Sequence, residues 1–235
     1  MHQINLLFIH KIMKKILFIF ALSGASFISN AQFSIGPKLG FGLANVKNTG
    51  DGATNDSKTG LAPTVGLDMK IGIGKYFSIQ PSVQGQILGA NYDKTSGGTK
   101  YRIKEYLGYI QIPVKLNLQY PISDKMTIGF GVGPYIGYFL AGAISTPDNE
   151  DDSGTRLKGK DNVTASDKDV DADYRNPLDY GIVLAPFFQA GIFNIAPTMS
   201  FGMNTIYPKY DGKSLPTVSK NVYYGLQLSL LFGNN

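Results

Sequence analysis

The 235-residue sequence has no cysteine and no tryptophan, only two histidines, and only 17% charged residues. Missing cysteine excludes disulfides, thiolate nucleophiles, thiolate-bound zinc and cysteine-linked lipid. No apolar run reaches the ~20 residues that a spanning helix needs. Mean hydropathy near zero also speaks against a bundle of such helices. What is abundant is glycine, at 28 residues, with 14 each of tyrosine and phenylalanine. That mixture suits many strands joined by tight turns.

Residues 1–31 contain Lys11, Lys14 and Lys15 but no acid. The apolar run 16–22, a small-residue stretch, and Ser29-Asn30-Ala31 follow. A basic start, a short apolar segment and small residues at −3 and −1 predict a secretory signal peptide cleaved after Ala31. Met13-Lys14-Lys15 reads as the natural start, with 1–12 an upstream extension. The domain plan is therefore a signal over 1–31 and a single domain over 32–235. Cleavage removes three lysines and both histidines, lowering the formal net charge from +5 to +2. Without imidazole or thiol, the commonest routes of acid–base and nucleophilic catalysis are closed. The expectation is a protein that is not an enzyme and needs no cofactor.

Beyond Gln32 the apolar period is two, not 3.6. In 61–73 Leu61, Val65, Leu67, Met69 and Ile71 alternate with Ala62, Thr64, Gly66, Asp68 and Lys70. In 77–87 Phe77, Ile79, Val83 and Ile87 oppose Ser78, Gln80, Ser82, Gln84 and Gln86. The same alternation predicts strands over 33–43, 106–120, 126–140, 180–188, 195–203 and 224–232. The count is eight. Connections alternate between long (47–60, 93–100, 145–177, 208–220) and short (74–75, 121–125, 193–194). This is the layout of an outer-membrane barrel, with short periplasmic turns and longer outer loops.

Period two does not by itself say which face points inward. A water-facing surface should be about a quarter to a third charged. Here the non-apolar face is glycine, serine, glutamine and asparagine, with isolated Lys38, Asp68, Lys70 and Lys115. That composition fits a crowded lumen and rules against a soluble barrel with an apolar interior. Aromatics near the strand ends read as two interfacial girdles. Phe33, Phe77, Tyr120 and Phe232 mark the turn side; Tyr92, Tyr106, Tyr138, Tyr180 and Tyr224 mark the loop side. The fold class is all-β: an eight-stranded antiparallel up-and-down transmembrane barrel after a cleaved signal.

Ile35-Gly36-Pro37-Lys38-Leu39-Gly40 resembles the opening strand of the outer-membrane beta-barrel family that includes PorT-like proteins. Tyr109-Ile110-Gln111-Ile112-Pro113-Val114-Lys115 resembles its fourth-strand signature, and Gly133-Pro134-Tyr135 and Asp179-Tyr180-Gly181 its fifth and sixth strands. The resemblance implies an eight-stranded barrel in the outer membrane of a Gram-negative bacterium. Some relatives act with a protein-secretion apparatus.

Two sets of side chains are candidates for function. Lys38, Asp68, Lys70 and Lys115 should meet in the lumen, either as an ion-pair plug or as a basic constriction for small anions. Eight strands leave room for little beyond side chains, which favours the plug. Loop 145–177 carries nine acids and five bases. In it Asp167, Asp169, Asp171 and Asp173 supply oxygen ligands of the kind calcium takes, without the glycine of an EF-hand loop. The alternative is a solvated, mobile loop. The functional expectation is a structural or interaction role through extracellular loops, with a narrow solute channel as the rival. Partners would be outer-membrane lipid and lipopolysaccharide, the barrel-assembly machinery, and secretion-apparatus or surface proteins; nucleic acid is not among them.

Overall fold

The computed structural model describes residues 32–50, 57–96, 99–145, 155–164, 172–214 and 216–233. Residues 1–31, where a signal is expected, lie outside them. Eight long strands form the fold: β1 Phe33–Gly50, β2 Ser57–Ile73, β3 Phe77–Ser96, β4 Thr99–Ser123, β5 Met126–Ser145, β6 Leu178–Ala190, β7 Phe193–Gly202 and β8 Thr217–Leu230. Each pairs antiparallel with its neighbour in sequence, and β8 returns to β1 from Lys38↔Ser229 to Gly50↔Thr217. The ring is closed. Closure satisfies every strand edge internally, which a barrel in lipid requires.

Burial runs opposite to that of a soluble protein. On β1, Leu39 and Phe41 are 63% and 60% exposed, while Lys38 is 1% exposed. The same inversion holds on β2, where Leu67 is exposed and Asp68 buried. Apolar side chains face outward and polar ones line the lumen, as the composition of the two faces predicts.

The turns and strand ends depart from expectation in three ways. Strands run further toward the loops: β1 continues to Gly50, and β3 and β4 stay paired up to Ser96↔Thr99. The turn expected at 193–194 falls at Gly191, which takes φ +57, a conformation glycine adopts without steric cost. Phe193 and Asn194 instead begin β7, opposite Ala190 and Gln189. Tyr92 does not join the loop-side girdle. It occupies an inward position of β3 and donates its hydroxyl to Glu105 Oε2 at 3.2 Å. Tyr106, Tyr138, Tyr180 and Tyr224 do face outward, exposed, as do Phe33, Phe77, Tyr120 and Phe232 at the turn side.

Above the loop-side girdle the polarity of the two faces exchanges. Outward positions become Asn45 and Lys47 on β1 and Arg102 and Lys104 on β4. Inward positions become Ala44, Val46, Ala62, Leu88, Ala90, Leu107, Tyr109, Phe139 and Tyr223, a buried apolar cluster. The barrel thus has a lower storey built for lipid outside and an upper storey built for water outside. An irregularity in the β4–β5 register between Gly108 and Tyr109 accompanies the change, and beyond it Ile144 packs against the cluster.

Loop 145–177 corrects the expectation of a freely solvated segment. Its strand Thr155–Gly159 adds to β5 and aims Leu157 into the cluster, fully buried. Ala172–Arg175 pairs with that strand in parallel. Ile206, from the β7–β8 connection, is buried in the same cluster. Burying these two side chains contributes about 1.5–3 kcal/mol each.

Candidate functional site

In the lower storey Asp68 is the hub of the lumen. Its side chain projects from β2 into a space bounded by β1, β3 and β8. Lys38 Nζ lies 2.9 Å from Asp68 Oδ1. Gln80 Nε2 donates to Asp68 Oδ2 at 3.0 Å, and the Ser82 and Ser229 hydroxyls also donate to the carboxylate. The pair is diagonal: Asp68 sits across from Gly36, and Lys38 across from Gly66. Glycine opposite each charged side chain leaves the width for two of them to cross the lumen.

The network continues sideways through amides. Asn117 Nδ2 donates to Gln80 Oε1 at 3.0 Å and to Ser78 Oγ at 3.1 Å, and Ser78 donates to Gln119 Oε1 at 3.1 Å. Lys115 lies beside this hub, lining the same void as Lys38. Lys70 does not join it. Its ammonium is directed to Gln189 Oε1 at 2.5 Å, near the Phe187 ring, at the turn-side end. Sequence alone put all four charges together; the structure groups Lys38, Asp68 and Lys115 and leaves Lys70 at the mouth, because Lys70 is opposite Ser34 rather than Lys38.

The lumen is blocked. The void between Lys38, Gln84, Gln111, Lys115, Tyr135 and Gln227 measures about 10 Å³, at the threshold for a single water. Larger spaces open at the two ends. The turn-side mouth, lined by Ser34, Lys70, Gln119, Lys125 and Gln189, holds about 830 Å³; the loop-side mouth holds about 540 Å³.

At the loop-side mouth a second ion pair fastens the cap. Arg175 Nη2 and Nε lie 2.6 and 2.7 Å from Glu105 Oε1, and both residues are buried. The guanidinium also stacks 4.8 Å from the Tyr207 ring centre and donates to the Tyr174 carbonyl at 2.9 Å. Asp179 forms a third buried polar centre, accepting from Asn221 Nδ2 at 3.1 Å and from Tyr135 at 3.3 Å. Sequence reasoning did not single out Glu105, Arg175 or Asp179 as a site. The inward parity of Glu105 on β4 was a signal for it; nothing local marked Arg175 within a charge-rich loop.

Of the acidic set considered for calcium, Asp173 lies exposed on the strand Ala172–Arg175. Asp167, Asp169 and Asp171 lie outside the described residues. Among the described residues no group of three or more histidine, cysteine or acidic side chains is placed to hold a metal ion.

Residues 26–207 match the family described as outer membrane protein beta-barrel domain. No curated protein matches the chain. Among solved structures, Ail, the attachment invasion locus protein of Yersinia pestis, crystallised with the heparin analogue sucrose octasulfate, is similar at 10% identity and TM-score 0.38, covering 86% of this chain and 99% of Ail. Neisserial surface protein A is similar at 7% identity and TM-score 0.41, covering 87% of this chain and 100% of that one. Likenesses this remote carry no functional inference.

Proposed function

The chain belongs to the outer membrane protein beta-barrel domain family, and from that premise we propose that it is a sealed, PorT-like barrel whose outer cap is an interaction platform. It catalyses nothing and holds no cofactor; the signal over 1–31 is removed at Ala31, the short turns face the periplasm and the long loops face outward. The observation that carries this reading is the lumen, where a void of about 10 Å³ cannot pass a hydrated solute. Its surface is instead spent on a folded cap, in which two outer connections pack against the upper cluster. The lumen charges are structural in this reading, and the cap presents the face that a secretion component or surface protein would touch.

Planar-bilayer recording of the refolded protein tests it directly. No conductance steps above baseline are expected. Regular steps that depend on salt concentration would establish the narrow-channel alternative instead. Crosslinking in native membranes should recover partners through the cap. Mass spectrometry of protein from those membranes should find Gln32 as the first residue. A start at Met1 or Met13 would overturn the export signal.

A further inference from the structure

Two lysines face each other on the outside of the barrel. In the β1–β8 register Lys47 lies directly opposite Lys220. Both point outward, since Val46 and Ser219 beside them are buried in the interior. Side chains directly opposite in an antiparallel pair have Cβ atoms about 4.5–5.5 Å apart, and like charges there destabilise the sheet. Among the described residues neither lysine has an acid within ion-pair distance.

The neighbouring strands show the contrast. Lys58 and Arg102 share the Asp93 carboxylate, with Arg102 Nε 2.8 Å from Asp93 Oδ1. That carboxyl, beyond the outer girdle, is held down at about 2 by hydrogen bonds from Arg102 and Lys58, so it stays ionised and occupied. It is not available to Lys47 or Lys220.

Height decides what could lie between the two ammonium groups. Lys220 is four residues beyond Tyr224 on the same face, and Tyr224 pairs with Leu43, four residues before Lys47. At ~3.4 Å per residue and a ~40° tilt, the pair's backbone stands roughly 10 Å above the tyrosine girdle. Long lysine side chains reach back down from there to the headgroup layer at which the girdle sits. Directly below, Leu43, Leu61 and Tyr224 form an exposed apolar strip on the same wall. A ligand with an anionic head and several acyl chains matches both parts; a free anion matches only the first.

We infer that Lys47 and Lys220 clamp a phosphate of a phosphorylated glycolipid of the outer leaflet, whose acyl chains lie along the strip below. The inference rests on the proposed outward orientation of the long loops. One phosphate between two ammonium groups turns a repulsive cross-strand pair into two attractive contacts.

Native mass spectrometry of the full-length protein refolded in neutral detergent tests the clamp. The probes are a diphosphorylated, hexa-acylated glucosamine disaccharide, its dephosphorylated counterpart, and inorganic phosphate. Wild type should retain the phosphorylated glycolipid at least tenfold better than the dephosphorylated one. The double variant Lys47→Gln, Lys220→Gln should lose that preference. The variant Lys75→Gln, Lys125→Gln removes the same charge at the turn side and should keep it. Retained preference in the first variant, equal loss in the second, or displacement of the glycolipid by an equal concentration of inorganic phosphate would each overturn the clamp. Orientation is read separately: because the chain has no cysteine, Thr49→Cys should react with an impermeant maleimide on intact cells. Reaction only after lysis would refute the outward loops, whatever the lipid titration shows.

Discussion

Asp68→Ala should destabilise the refolded barrel by about 3–5 kcal/mol, the cost of removing one partner from a buried ion pair. The carboxylate is buried, pairs with Lys38, and accepts hydrogen bonds from Gln80, Ser82 and Ser229. These partners come from β1, β3 and β8, so one side chain ties the closing seam of the barrel to its first hairpin. Its loss leaves an ammonium and three neutral donors facing a gap that holds little water. Asp68→Asn keeps the shape and should still lose much of the stability, because Lys38 would remain without a counter-ion. Asp93→Ala supplies the comparison: its ion pairs are exposed to solvent, and such pairs add little to stability. Urea unfolding in detergent, followed by the tyrosine signal, reads all three. Equal midpoints for Asp68→Ala and Asp93→Ala would show that Asp68 is bathed in bulk water, and the plug would have to be abandoned.

Arg175→Ala should open the cap without unfolding the barrel. Among the described residues Glu105 would be left buried with only the Tyr92 hydroxyl on its other oxygen, a cost again of about 3–5 kcal/mol. Because Arg175 sits on a strand paired only to another short strand, the cheaper response is local release. A penalty of about 3 kcal/mol raises the open population by roughly a hundredfold. Protease added outside intact cells should then cut loop 145–177 far faster, while heat-modifiable migration stays that of a folded barrel. Replacing Arg175 and Glu105 together with methionine should restore much of the protection, since a packed apolar pair avoids the stranded charge. Unchanged cleavage in Arg175→Ala would mean the cap is held by Leu157 and Ile206 alone.

Strand number, order and the facing of the lower storey were legible from period two, because lipid outside and a narrow lumen inside impose opposite chemistry on alternate residues. That Lys38 and Asp68 would meet followed from their inward parity on the first two strands; that they reach each other diagonally did not. The separation of Lys70 did not, since it depends on Gln189, far away in sequence and reachable only across the lumen. The cap was illegible for a different reason. Leu157 and Ile206 are isolated apolar residues within polar stretches, with no periodic neighbours to announce burial. The continuation of the strands past residue 43 was hidden by the exchange of polarity itself, which breaks the pattern by which a lipid-facing strand is recognised. Tyr92 was misplaced because its aromatic ring near a strand end suggested a girdle, while its parity on β3 put it inside.

The exchange of polarity between the storeys also fixes how the strands can be threaded. A barrel rich in lumenal glycine offers little steric resistance to sliding one strand past the next. Here a slip by one residue flips every side chain of that strand, and it does so against two solvents at once. On β1 it would carry Lys38 into lipid while turning Val46 and Ala44 out to water and Lys47 in toward the apolar cluster. A slip by two residues keeps each side chain on its face, but it carries the level at which polarity exchanges up or down against the neighbouring strands. Shear is thereby constrained by facing and by height together, and a long strand gains an alignment that neither half could specify as firmly alone.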